Sequence, residues 1–247
     1  MDRCFKENLS PNEDCGGTRM IYLIYATIRI NTCIDNIQHW LKTCVNPENI
    51  RVKVAVNTEQ EKEQFCNSGI KSDIIVTNSP RIGYCYSMNY LTKDLELQDD
   101  DILIFLADDL YSPDGWDIYI YDKFKDFKGC LMLDDGFQST ERMPKDCLPS
   151  LNIPAMTFSC LKTINKRLFS PEYTHFFADN ELYLNMSALG LLKDDRIQDG
   201  VIFEHRHYWI NGKRERDQYD MEYSKYASED RTTFEKRKCF NVFERIV

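Results

Sequence analysis

Two adjacent aspartates after a short apolar run are the residues whose type and position point most directly to chemistry. From Asp101 to Trp116 the chain reads D-I-L-I-F-L-A-D-D-L-Y-S-P-D-G-W. Ile102 to Leu106 are apolar without alternation, which predicts a short strand buried on both faces of a central sheet. Asp108 and Asp109 follow at its C-terminal end, the edge where open α/β sheets bind ligands, and Pro113 and Gly115 begin a new element. Carboxylates there can hold a hard divalent cation, which in turn can hold a diphosphate. An isolated Asp-Asp pair is more often a solvated turn, so its weight comes from the elements around it.

Those elements alternate. Met20 to Ala26 predicts a first buried strand, closed by Thr27, Ile28 and Arg29. Ile34, Ile37, Trp40, Leu41, Cys44 and Val45 then follow helical spacing, with Asn31 or Thr32 as cap and Pro47 near the end. Val52 to Val56 predicts a second strand, Glu59 to Cys66 a helix stopped by Gly69, and Asp73 to Thr77 a third strand. After a loop from Asn78 to Gly83, Met88, Leu91 and Leu95 mark a helix. It leads through Asp99, Asp100 and Asp101, read as a solvated turn, into the central strand. This alternation predicts an α/β fold of β-α-β units with a mainly parallel central sheet, and a half that binds a nucleotide or something like it.

The second half is less regular. Gly115 to Phe127 predicts a helix, Cys130 to Leu133 a strand turning at Asp135-Gly136, and Ser139 to Pro154 a long loop of the kind that forms lids or binding segments. Ala155 to Cys160 predicts a strand, Glu181 to about Leu192 a helix, and Val201 to Phe203 a short strand before Glu204-His205-Arg206-His207. The division expected is a polar leader at 1–19, one domain at 20–211, and a charged helical extension at 212–247 packed on it.

At 247 residues and 43% hydrophobic composition the chain can bury one sizeable core. Its net charge of -9 argues against a surface that neutralises nucleic-acid phosphates, so a nucleic-acid acceptor is not favoured. The leader lacks the apolar core of a signal peptide, and no segment approaches the ~18 apolar residues of a membrane span, which predicts a soluble, cytoplasmic protein. The ten cysteines contain no C-x-x-C pair, which argues against a zinc site. Cys4 and Cys15 flank the loose leader and are the pair open to oxidation.

In their order and spacing, the fragments resemble the inverting glycosyltransferases of the GT-A fold, family 2 in particular, from about Met20 to Trp209. The first strand ends in Thr27 and Arg29 where that family begins its nucleotide site. P-E-N-I-R-V-K-V-A-V-N is similar to the lead into its second strand, which ends here in Asn57. Arg81-x-Gly83 with Asn89 resembles its loop and helix beside the nucleotide. I-L-I-F-L-A-D-D is similar to its metal-binding strand end, and F-F-A-D-N-E-L followed by V-I-F-E-H to its acidic motif, helix and downstream histidine.

The resemblance implies a donor such as a UDP- or GDP-linked sugar, Mn²⁺ or Mg²⁺, and transfer of a hexosyl or pentosyl group to an acceptor hydroxyl with inversion. A nucleoside diphosphate leaves readily only if its developing charge is neutralised, worth several kcal/mol from a bound cation. Asp109 is the first candidate ligand, with Asp108 touching metal or ribose. The resemblance adds His205, and imidazole suits Mn²⁺ better than Mg²⁺. The attacking hydroxyl must lose a proton, and Asp179, matching the second acid of the later motif, is the candidate general base. Glu181 is the alternative, and is equally an acid favourably placed at a helix N-terminus.

Three positions depart from the family pattern. Ala107 replaces the first acid of the metal motif, leaving the cation mainly to Asp109. Asn57 stands where an Asp usually meets the base or ribose, and Ala178 replaces the first acid of the later pair. A nucleotidyltransferase of related fold is a competing reading, although A-T-I-R-I-N lacks the glycines of its phosphate loop. A noncatalytic nucleotide-sugar or carbohydrate-binding module is another. Tyr84, Tyr86, Tyr90 and Trp116 read mainly as packing, and Lys236-Arg237-Lys238 as a solvated face.

Overall fold

The computed structural model describes residues 19–76, 83–136, 149–196, 200–207 and 215–246. Its first half alternates as the apolar spacing predicts: β1 (Ile21–Ala26), α1 (Ile30–Thr43), β2 (Ile50–Val56), α2 (Glu59–Cys66), β3 (Asp73–Val76), α3 (Gly83–Thr92) and β4 (Ile102–Leu106). The charged α2 is held at its start by a capping box, in which Thr58 accepts from the Glu61 N–H and Glu61 accepts from the Thr58 N–H. There follow β5 (Leu110–Tyr111), α4 (Trp116–Phe124), β6 (Cys130–Met132), β7 (Pro154–Thr157), α5 (Phe158–Thr163), α6 (Ala178–Ala188), β8 (Leu192–Asp194) and β9 (Glu204–His205). Three helices end the described chain: α7 (Gln218–Ser224), α8 (Ala227–Arg237) and α9 (Val242–Ile246).

Seven strands form one sheet in the order β3-β2-β1-β4-β7-β6-β8. β3, β2, β1 and β4 are parallel, and β8 is parallel to β6. β7 runs antiparallel to both β4 and β6, so those two strands point the same way and end at one edge. A separate ladder pairs β5 with β9, setting Leu110 opposite His205. β4 is buried on both faces: Ile102, Ile104 and Leu106 meet Trp40, Trp116 and Phe203, while Leu103 and Phe105 meet Met88, Phe158 and Met186. Each such side chain contributes roughly 1.5–3 kcal/mol when fully buried, which fixes the strand that carries the acidic pair.

Several expectations need correction. The strand predicted over Ala155 to Cys160 stops at Thr157, whose hydroxyl accepts from the Cys160 N–H and opens α5 instead. The strand predicted at Val201 to Phe203 lies at Glu204–His205, and α6 starts at Ala178 rather than Glu181. Asp101 is not in a solvated turn. It is buried and accepts from the Met20 and Gln98 N–H groups at 2.9 and 3.0 Å, tying the entries of β1 and β4 together. Arg237 leaves the solvated face expected for its basic cluster and is buried.

Trp116 is core, its indole N–H donating to the Trp40 carbonyl at 2.9 Å. The tyrosines divide, with Tyr84 turned inward and Tyr86 43% exposed. Cys33, Cys44, Cys66, Cys85, Cys130, Cys160 and Cys239 are free thiols, and Cys4 and Cys15 lie outside the described residues. So does most of the long loop, from 137 to 148. Among the described residues no helix is long and apolar enough to cross a membrane.

Candidate active site at the sheet edge

The segment after β4 is fastened from below. The Leu110 carbonyl accepts from Asn36 Nδ2 and from Trp40 Nε1, both at 2.8 Å, so α1 fixes the backbone next to Asp109. From the other side the chain at 203–206 is zipped into place. The Phe203 N–H donates to the Asp134 carbonyl at 2.8 Å, the His205 N–H to that of Asp135 at 3.3 Å, and the Arg206 N–H to that of Asp109 at 2.8 Å. His205 is thereby seated between the ends of β4 and β6. Its Nε2 lies 3.5 Å from Asp109 Oδ1, and its Nδ1 lies 4.0 Å from Asp135 Oδ2. Asp109 and Asp135 are both buried, as are Asp108 and Asp134.

Asp135 did not figure among the expected site residues. Its signal was present, because L-M-L-D-D-G repeats the pattern of an apolar strand ending in paired aspartates. Asp134 is occupied by the turn, accepting from the Gly136 N–H at 2.8 Å, whereas Asp135 Oδ2 accepts from Asn152 Nδ2 at 2.6 Å.

Asp108 belongs to a second cluster at the end of β1. Its Oδ2 accepts from Thr27 Oγ1 at 2.9 Å, and its Oδ1 lies 3.4 Å from an Arg29 guanidinium nitrogen. Arg29 also donates through Nε to Asp217 at 2.6 Å and through Nη2 to both Asp217 and Asp220 at 3.1 and 2.9 Å. The head of the C-terminal helices thus reaches the same edge. Burial opposes the charge on Asp217, but the Arg29 bond holds that carboxyl below its usual range.

Asp179 stands on the first turn of α6. Burial raises its carboxyl above the usual range, against bonds from the Asn180 and Asp179 N–H groups and Ser150 and the attraction of His205. Tyr84 lies among the acids: burial raises its phenol strongly, and Cys85, Asp179, Asp109 and Asp108 add to the rise. Behind it, His175 is pushed down to about 4 by burial, in spite of Asp230; its ring packs edge-on to Tyr84 and Phe176. Neither Tyr84 nor His175 carried a spacing signal, because their proximity to Asp109 is made by tertiary folding.

Other expected residues stand differently. Glu181 is buried in an ion pair, bonded by Arg237 Nε and a terminal nitrogen at 2.8 and 2.9 Å and by the Tyr173 hydroxyl at 2.8 Å. Asn89 is a tie rather than an open donor, since its amide exchanges hydrogen bonds with the Phe169 carbonyl and N–H at 2.7 and 3.0 Å. Asn57 ends β2, half-buried, with its N–H given to Glu61 at 2.7 Å. Gly83 has φ +76°, and a Cβ there would meet the Thr174 carbonyl oxygen at 2.4 Å. Arg81 lies outside the described residues.

Asp109 oxygen and His205 nitrogen are donors that suit a divalent cation such as Mn²⁺. Among the described residues no third His, Cys, Asp or Glu joins them in a closed cage.

No protein-family model matches the sequence, and none of the curated proteins matches it. Solved structures do. TarS of S. aureus in complex with UDP superposes with a TM-score of 0.57 at 12% identity, over 75% of this chain and 60% of that one. Mannosyltransferase PcManGT from Pyrobaculum calidifontis, in complex with GDP-Man and Mn²⁺, superposes with a TM-score of 0.51 at 10% identity, over 75% and 59%. The chain therefore spans about three-fifths of the length of these structures. What it shares with them at such identities is architecture: a mixed sheet, mainly parallel, that makes this the GT-A fold.

Proposed function

We propose that this chain is an inverting glycosyltransferase that moves a sugar from a nucleoside-diphosphate donor to an acceptor hydroxyl with the help of a divalent cation. The observation that carries this reading is the seating of His205 against Asp109 at the edge where β4 and β6 end, with Asp179 within electrostatic reach of the same imidazole. The GT-A fold supports it, because the two similar structures hold UDP in one case and GDP-Man with Mn²⁺ in the other.

Asp109 and His205 would hold the cation, which when bound neutralises the negative charge gathering on the departing diphosphate. Thr27 keeps Asp108 in place and Arg29 adds positive charge beside it, on the donor side of the site. Asn57 and Arg81 are assigned to the nucleoside, and Gly83 to the close backbone approach at the start of α3. Asp179 takes the acceptor proton as the acceptor oxygen bonds to the anomeric carbon and the bond to the phosphate oxygen breaks. A carboxyl with a raised pKa is a stronger base than an ordinary aspartate, provided it is ionised at the working pH.

The test is release of nucleoside diphosphate from UDP-glucose, UDP-GlcNAc and GDP-mannose, with and without Mn²⁺, in wild-type and Asp109→Asn protein. Metal-dependent release that falls at least 100-fold in the variant is expected, from the several kcal/mol a cation supplies. Stabilisation by a donor with no release from any of the three would leave a binding module in place of an enzyme.

A further inference from the structure

Resting on the reading just given, we propose that Asp135 is a positioning residue for His205. It holds the imidazole with its proton on Nδ1, so that the Nε2 lone pair faces the cation beside Asp109. The two nitrogens of His205 face different carboxylates, Nε2 toward Asp109 at 3.5 Å and Nδ1 toward Asp135 at 4.0 Å. A neutral imidazole has one N–H and one lone pair, and only the lone pair can bind a metal. An acceptor at the Nδ1 edge therefore decides which nitrogen is left to bind, as ligating histidines generally require.

The surroundings suit Asp135 to that task. Its backbone carbonyl accepts from the His205 N–H at 3.3 Å, so histidine and carboxylate are registered by the main chain. Asn152 Nδ2 anchors Oδ2 at 2.6 Å, and the residue is almost wholly buried. Asp134 is directed to the turn, its Oδ1 accepting from the Gly136 N–H at 2.8 Å. Asp135 is not itself proposed as a ligand, because it sits at the opposite edge of the ring from the cation. The present 4.0 Å is longer than a hydrogen bond. Closing it to the ~2.8 Å of a charge-assisted bond takes a ring movement of about 1 Å.

The experiment uses the full chain and binding of Mn²⁺, alone and with UDP, followed by electron paramagnetic resonance. Asp135→Asn is expected to weaken Mn²⁺ binding by roughly 10- to 100-fold, the usual consequence of losing such a partner. In a His205→Gln background the same substitution should change binding less than about twofold, because the two act as one unit. Nitrogen-15 spectra of metal-free Asp109→Ala protein, in which the carboxylate facing Nε2 is gone, should show His205 as the Nδ1-protonated tautomer, and as a mixture once Asp135→Asn is added. Asn152→Ala, which keeps the carboxylate but frees it, should give an intermediate loss and serves if Asp135→Asn does not fold. Wild-type Mn²⁺ affinity in Asp135→Asn and a tautomer that adding this substitution leaves unchanged, while Asp109→Asn and His205→Gln lose the metal, would overturn this inference and leave the proposed function standing. Unchanged binding in all of these variants would overturn the cation site itself.

Discussion

Asp179 and Glu181 lie two residues apart on the first turn of α6, and at ~3.6 residues per turn their side chains leave the helix about 200° apart. One carboxylate is within electrostatic reach of His205, and the other is locked to Arg237 and Tyr173. Opposite outcomes follow. Glu181→Gln should lower stability by roughly 1–3 kcal/mol, read from chemical denaturation, because it leaves the buried Arg237 guanidinium with Glu172 as its remaining acid partner, while kcat of the folded fraction stays within about twofold. Asp179→Asn should lower kcat by roughly 10²- to 10⁴-fold with the melting temperature held or raised, since burial penalises the charge it removes. Because the Asp179 pKa is raised, the acidic limb of the wild-type rate profile should lie above the ~3.9 of an ordinary aspartate and vanish in the variant. Residue type and order made Asp108, Asp109, Asp179 and His205 legible as a group. They could not tell which acid of A-D-N-E-L meets an arginine 56 positions on, because that pairing exists only after the C-terminal helices pack.

The start of α3 depends on Gly83. Its φ of +76° is costly for other residues, and an added Cβ would sit 2.4 Å from the Thr174 carbonyl oxygen. Gly83→Ala should therefore destabilise by roughly 1–3 kcal/mol, seen as a lower denaturant midpoint at unchanged slope. Elements with local causes were readable in advance: β4 from five unbroken apolar residues, α1 from its stripe, and α2 from its acidic start and Gly69. Elements with non-local causes were not. One local cue was also missed: Ala155 to Cys160 has strand composition throughout, but the Thr157 hydroxyl accepts from the Cys160 N–H three residues on and caps a helix that takes the second half. β9 is two residues long and exists because Leu110 offers it a partner, so no periodicity could announce it.

On the scale of the whole molecule, the C-terminal helices are tied into both halves of the site. Arg29 at the end of β1 is held by Asp217 and Asp220, so Asp217→Asn with Asp220→Asn should speed hydrogen exchange in α7 while leaving β1 and β4 protected. A pH effect follows from His175, whose pKa is pushed from the ~6.5 of an unfolded chain down to about 4. The unfolded chain binds this proton first. The His175 contribution to native stability is thus fully present above about pH 6.5 and is lost as pH drops toward 4, and His175→Gln should flatten that part of a melting-temperature profile.

The carboxylate of Asp230, on α8, accepts the N–H groups of Thr174, His175 and Phe176 at 3.0, 3.0 and 2.8 Å. Those three amides lie just before the helix that carries Asp179, and the carboxylate that braces them comes from position 230. During translation, a chain that has left the ribosome only through β9 already carries the residues proposed to hold the donor and the cation. The segment leading into the helix of the proposed base, however, still lacks its brace, so under the proposed function glycosyl transfer should switch on late in synthesis, once α8 has emerged and docked.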